Sequence, residues 1–448
     1  MANYPGILGK GPGGVGTTDG TSTLKWWLKG DAGVTQTSNA VSAWVDQSGN
    51  NLDITQGTAA SQPTYVTNQL NGLPVVSFDS TDDWLNTGTL PADFATSNVS
   101  IYIVSLVDAA QAGNPAVLKA QTDDINNRLN LHLFPTSLKF HHGDISGAGR
   151  LETTTGVTLG QFDTYHFQTG GTGQSIYENG NLLLSDTDSG TFDPTGKTLD
   201  IGYNLNTDTY WGGDIAEVFI YNEALNTAKR TIVDNYISSK YALATATDKY
   251  VGDDAANGDY DLNVAGIGQE ADGNNTSATS ADLTIANNTY LQDNGDYLLF
   301  GHNQATNSLV TTDIPTGTTN RWNRVWYLDK TDANTNNGTV DLTFDFSELG
   351  STPRGSYALL FRSGATGAFS AVTGVSAGTI SGNQVVFSGV DVSALADGYY
   401  TLGSDSSAPT LSSVSIASNN ANDTSLAKVG DTVTVTFTAS ETLSGTPT

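Results

Sequence analysis

Apolar residues in this chain come in short runs, among them "TLKWWLK", "LPVVSF", "VSIYIVSLV", "QSIYENGNLLL" and "DIAEVFIY", each closed off by Gly, Asn, Asp, Thr or Ser. Runs of this length, rich in β-branched and aromatic residues and bounded by turn formers, read as strands of an antiparallel sandwich. Asn179-Gly180 inside "YENGN" is the sequence form of a tight hairpin turn, because both residues tolerate the positive φ that such a turn requires. Helical period occurs convincingly in one place, after "NEAL". There Ala228, Ile232, Val233, Tyr236, Ile237 and Tyr241 recur on one face, with Lys229, Arg230 and Asp234 off it. Asn226 or Thr227 is the expected N-cap. The apolar runs are also too short to cross a bilayer as a helix.

Charge narrows the partners. Lys and Arg total 18 against 46 acidic residues, a net charge of -28, which excludes the clustered cations that nucleic acid requires and argues equally against anionic membrane surfaces and membrane insertion. Of the acids 39 are Asp and 7 are Glu. Asp bonds to nearby backbone and favours turns, so the carboxylates concentrate in loops, where calcium ligands usually sit. There is no Cys, and therefore neither disulfide nor thiolate chemistry. The opening residues lack the basic start and apolar core of a signal peptide; an exported protein would have lost its leader.

Four segments follow from the punctuation: a flexible Gly-rich lead-in over residues 1–20, a strand-rich domain over 21–243, a second β-sandwich over 247–405, and a shorter β unit over 408–448. In the last, "SSVSIAS" and "DTVTVTFTASETL" alternate as two strands. Two strands alone leave open edges, so this unit is expected to be the incomplete start of a repeat.

Three stretches of the first domain carry a resemblance: "LKWWLKGDAGV" with "VSAWVDQSGNN", then "QPTYVTNQLNGLPVVSFDSTDDWL", then "YWGGDIAEVFIYNEAL". They are similar to the laminin-G-like branch of the concanavalin A-like lectin/glucanase superfamily. The resemblance implies a jelly-roll sandwich, with Ala216 departing from the Asp that the family usually has there. The second block resembles a module of unknown function that follows laminin-G-like domains in large Bacteroidota-type surface proteins, through "DYDLNVAGIGQE", "GDYLLFGHN" and "NRVWYLDKT". The third resembles the start of a bacterial immunoglobulin-like stalk repeat. The expected fold class is all-β throughout.

Laminarinase-type hydrolases of the same superfamily carry a Glu-x-Asp-x-x-Glu strand. That pattern places Asp214 and Glu217 on its second and third carboxylates and Gly212 where the nucleophile should stand. Retaining hydrolysis needs two carboxyls about 5–5.5 Å apart. On a regular strand residues 214 and 217 point to opposite faces, and only a bulge would reunite them; the expectation is a structural strand and no enzyme. His132, His141, His142, His166 and His302 show no metal motif, and the adjacent pair 141/142 must face apart. Calcium is the better cofactor expectation. Its candidate ligands are Asp79, Asp82 and Asp83; Asp186, Asp188 and Asp193; and Asp253, Asp254, Asp259 and Asp261. Tyr210 and Trp211 are the candidate ligand contacts, against the general tendency of large aromatics in sandwiches to be core.

Taken together, these readings anticipate the distal part of an exported, extracellular cell-surface adhesin. It would recognise a glycan or another surface ligand, be stabilised by calcium and continue into further stalk repeats. The alternatives are a laminarinase-type hydrolase using Asp214/Glu217 and a structural spacer or filament subunit.

Overall fold

The computed structural model describes residues 10–109, 112–120, 124, 126–143, 150–171, 173–335, 338–405 and 411–439. The architecture is nearly all β, as expected. In the first domain one sheet runs through Leu24–Lys29, Gly212–Tyr221, Val99–Leu106, Phe162–Gly170, Gly173–Glu178 and Asn181–Asp186, all antiparallel. The other runs through Ile54–Thr55, Leu85–Thr87, Leu199–Ile201, Leu118–Ala120, Arg128–Leu133, Leu138–Gly143 and Arg150–Glu152. Between them lies a core of Trp26, Leu28, Ile101, Ile103, Leu129, Leu131, Phe140, Val218 and Ile220.

Strand alternation explains which residues face out of this core. Trp27, Tyr102, Val104, Phe219 and Tyr221 face the other way, yet they are buried too. Their cover is the helix Thr227–Tyr241 and the second domain. A sheet buried on both faces loses the apolar–polar alternation of a half-exposed one, which is why "VSIYIVSL" reads as one unbroken run and is buried at every position. The helix starts where expected: the Asn226 side chain accepts from Lys229 N at 2.9 Å, satisfying a donor that the first turn leaves free. Asp234, expected off the buried face, is instead buried against Thr247, which donates to it at 3.0 Å.

The second domain is another sandwich. One sheet centres on Leu262–Glu270, Tyr297–His302, Trp326–Thr331, Gly398–Asp405 and Ser356–Arg362. The facing sheet comprises Ser277–Ser280, Leu283–Asn287, Thr339–Asp345, Gln384–Asp391 and Thr379–Ser381. Trp322, Trp326, Leu328, Phe344 and Phe387 fill its core, and Val264, Tyr297 and Leu299 present its outer face to the helix.

Residues 10–20, read from sequence as part of a flexible lead-in, are a correction. Pro12–Gly14 form a buried 3₁₀ turn wedged between the helix and the second sandwich. A Cβ on Gly13 would stand 2.9 Å from Ile232 Cγ2, and one on Gly14 would stand 2.7 Å from Ala278 Cβ. The glycines serve close approach and left-handed backbone, not flexibility. Residues 1–9 lie outside the described residues.

The third unit is a two-stranded hairpin, Leu411–Ser418 with Val433–Ala439. Val414, Ile416, Val433 and Val435 are exposed there. Residues 406–410 and 440–448, which include the ends of this unit, lie outside the described residues.

Candidate functional site

The strand Gly212–Tyr221 holds both carboxylates of the sequence-level dyad, and it does contain the irregularity a dyad would need: its register against Val99–Leu106 shifts between Ile215 and Glu217. The two carboxylates nonetheless have separate partners. Glu217 is fully buried, and its Oε1 accepts from Trp27 Nε1 at 2.6 Å and Tyr236 OH at 3.0 Å. Its Oε2 accepts from Lys240 Nζ and Tyr241 OH, each at 2.7 Å. Four donors occupy the lone pairs that a nucleophile or general base would need. Three of them sit on the helix and its end, so Glu217 ties the helix to the sheet. Asp214 is buried beside Gln69, whose Nε2 donates at 3.4 Å, and burial raises its pKa.

At one end of the first sandwich the chain builds a different arrangement. Leu73–Asp79 ends opposite Gly212, and Ser80 turns the chain at a φ of 61°. Thr81 N and Asp82 N then donate to Asp79 Oδ1 at 2.8 and 3.3 Å, and Asp79 N donates to Asp83 Oδ2 at 3.1 Å. The turn folds the three carboxylates together: Asp79, Asp82 and Asp83 each offer an oxygen within 4.8 Å of the others. Burial first, and then the charges of Asp79 and Asp82, push Asp83 up to about 7. Among the described residues no Lys or Arg makes an ion pair with any of the three. Hard oxygens converging from one turn, one of them buried and resisting ionisation, fit a calcium ion; they would supply part of its shell and leave the rest to backbone carbonyls, water or a ligand.

Beside this turn, the hairpin Tyr203–Asn204/Thr209–Tyr210 lifts an aromatic row. Tyr210 lies 4.9 Å from Tyr203, and Tyr203 lies 5.6 Å from Trp84, ring centre to ring centre. All three are half-buried. Tyr203 OH donates to Asp208 at 3.2 Å, which fixes the row's tilt. A pocket of about 630 Å³ opens between the two features, lined by Asp79, Thr81, Asp108, Asp208, Thr209 and Tyr210.

The remaining sequence-level candidates fare differently. Trp211, offered as a ligand contact, is a core residue with no exposed surface, edge-on to Phe78 at 5.9 Å. Its neighbour Tyr210 takes the outward side of the strand alternation. Among the described residues the loops of Asp186, Asp188 and Asp193 and of Asp253, Asp254, Asp259 and Asp261 do not converge their carboxylates as the 79–83 turn does. Asp186 accepts from Asp188 N at 3.1 Å and Asp193 from Thr195 N at 2.9 Å, which is turn chemistry.

One set of polar residues went unnoticed in the sequence. Across the outer face of the second sheet Asn86, Asp200, Lys119, Asn130, His141 and Arg150 are cross-strand partners in a single row. His132 stands one place along, 5.4 Å from His141 between ring centres. Adjacent His141 and His142 do face apart, His142 bonding Ala95 O at 2.7 Å. Asn130 Oδ1, His132 Nε2 and both ring nitrogens of His141 are buried without a partner. Burial holds the two imidazoles neutral, at about 4 for His132 and about 3 for His141. The available signal was period-two polarity in "RLNLH" against "KFHHG", spread across strands that no local motif connects.

Comparison with known families agrees with this architecture. Residues 79–229 match the family model of the concanavalin A-like lectin/glucanases superfamily, and residues 229–398 match a domain of unknown function, DUF8202. No curated protein matches the chain by sequence. Among solved structures, domain 4 of AbnA, an extracellular arabinanase from Geobacillus stearothermophilus solved with arabinotriose, is 18% identical, covers 48% of this chain and 98% of its own, and has a TM-score of 0.35. Trypanosoma rangeli sialidase is 15% identical over 53% of this chain and 36% of its own, with a TM-score of 0.33, so the match spans about a third of that enzyme. The binding domain of botulinum neurotoxin serotype D/C is 12% identical over 86% of this chain and 99% of its own, with a TM-score of 0.36. The chain thus carries a concanavalin A-like domain followed by a domain of unknown function.

Proposed function

We propose that the chain is a non-catalytic recognition segment of a bacterial cell-surface adhesin, and that it binds neutral oligosaccharide at the loop end of the first sandwich with the help of calcium. The observation that carries this reading is a pocket bordered by Asp79 of the Asp79–Asp82–Asp83 turn and by Tyr210 of the Trp84–Tyr203–Tyr210 row. Aromatic faces offer sugar C–H surfaces an apolar platform, and a calcium ion held by carboxylates can accept two hydroxyls as ligands. The excess of carboxylate at the pocket disfavours acidic sugars.

The absence of catalysis is supported by Gly212, which offers no nucleophile, and by the saturated hydrogen bonding of Glu217. An extracellular place fits the Cys-free, acidic composition. Continuation into immunoglobulin-like stalk repeats is supported by the hairpin's exposed Val414, Ile416, Val433 and Val435, one face of a sheet that a second sheet would cover.

A glycan array read in calcium and in EDTA tests the proposal. Retention of neutral glycans in calcium, lost in EDTA and in Tyr210→Ala, is expected. Retention of none in either buffer leaves the spacer reading, and reducing ends released from laminarin and lost in Asp214→Asn would establish the hydrolase.

A further inference from the structure

We propose that the cleft between the two sandwiches is a second binding site, for a small organic acid carrying one carboxylate on an aromatic or aliphatic body. The cleft, about 900 Å³, is bounded by the wedge at Gly11–Gly14, by Trp27, Lys29, Leu73 and Tyr236 of the first domain, and by Leu262 and Val264 of the second. Its size lies within the range of roughly 300–1,000 Å³ typical of small-molecule sites, and its exposed surface is mostly apolar although half of the residues around it are polar.

Charge defines the ligand. Lys240 on the cleft wall is already committed, to Glu217 at 2.7 Å and Asp31 at 3.0 Å. Asp46 is equally spent: it accepts from Trp27 N at 3.0 Å, Ser48 N at 2.9 Å and Leu52 N at 3.0 Å. Asp19 is capped by Thr17 and Thr21. Lys29 is the exception. Its ammonium lies 4.7 Å over the Trp27 ring; among the described residues that ammonium makes neither an ion pair nor a hydrogen bond, although the Lys29 carbonyl accepts from Trp44 Nε1 at 2.8 Å. Burial first and then the charge of Lys240 lower its pKa, against the more distant charges of Asp31 and Glu217, which oppose the shift; an anion in direct contact would supply the partner that these do not. An ammonium without a contact partner in a chain of net charge -28, at a cleft whose exposed surface is mostly apolar, can receive one negative charge. Asp31 and Asp261 on the same walls repel a second.

The site is independent of the loop end, and its test needs no calcium. Octanoate, benzoate and indole-3-acetate, each beside its primary amide, are titrated into the full chain in EDTA by calorimetry and thermal shift. At least one acid is expected to bind and to raise the melting temperature while its amide does not. Lys29→Met should weaken binding about tenfold or more, the scale of a charge-assisted hydrogen bond. Lys29→Arg should keep it, and Leu262→Trp should abolish it by filling the cleft with Lys29 intact. Far-UV circular dichroism confirms that each variant folds. Equal binding of acid and amide, unchanged binding in Lys29→Met, or no binding of any acid at millimolar concentration overturns the proposal.

Discussion

Glu217 and Asp83 lie on the same sandwich, both nearly inaccessible to water, and their surroundings treat them in opposite ways. Glu217 is met by four donors, one of them the Lys240 ammonium. Asp83 is met by one backbone N–H and two further carboxylates, Asp79 and Asp82. A buried charge is tolerated when donors replace the water it has lost, so Glu217 is a completed structural element. Asp83 has one donor and two like charges beside it, and burial raises its pKa; this is the ground on which calcium is proposed there. Function is therefore better sought among the carboxylates that the fold leaves unsatisfied than among those that match a catalytic spacing.

The sharpest way to break this contrast is to remove Glu217. Glu217→Ala strands Lys240 and three further donors, and urea denaturation should show a loss of about 3–5 kcal/mol, the cost of orphaning half of a buried ion pair. A stability change within ~1 kcal/mol would mean that the carboxylate is not the tie described here. Next in size is calcium. At a hundredfold excess over its dissociation constant the ion should stabilise the folded chain by about 2.7 kcal/mol, and the response should vanish in Asp83→Asn. Tyr210→Ala should weaken glycan retention by about 1 kcal/mol, roughly fivefold, and leave the melting temperature unchanged. An equal loss in Trp211→Phe would instead place the contact in the core.

The remaining test is the dependence on pH in EDTA. Burial pushes Asp83 up to about 7 and Asp253 and Asp329 up to about 6. A carboxyl whose folded pKa exceeds its unfolded value contributes stability that is full below the unfolded value and is lost as pH rises through the folded one. The melting temperature without calcium should therefore climb as pH falls from 8 to 5, and calcium should flatten the climb. A melting temperature that falls over this window without calcium would show that these carboxyls are not held back from ionising.

The fold was legible because strand length, turn chemistry and one helical period are local signals. "NEAL" before an apolar stripe placed the helix and offered Asn226 or Thr227 as its cap, of which the structure uses Asn226. The 79–83 cluster was legible because its three carboxylates fall within five residues of chain. What escaped was non-local. Trp84 and Tyr203 become neighbours of Tyr210 only through a hairpin and a cross-sheet contact. The fate of Glu217 depends on Trp27, almost two hundred residues earlier. Even the glycines of the lead-in misled, because glycine marks both a loose tether and a place where two backbones nearly touch.

That last ambiguity bears on how the molecule is made. Gly13 and Gly14 reach the ribosomal exit long before Ile232 and Ala278, the residues they rest upon. This turn thus has to wait for partners made far later in the chain before it can settle. Once both partners are in place, the turn seats between the helix and the neighbouring sheet and joins them.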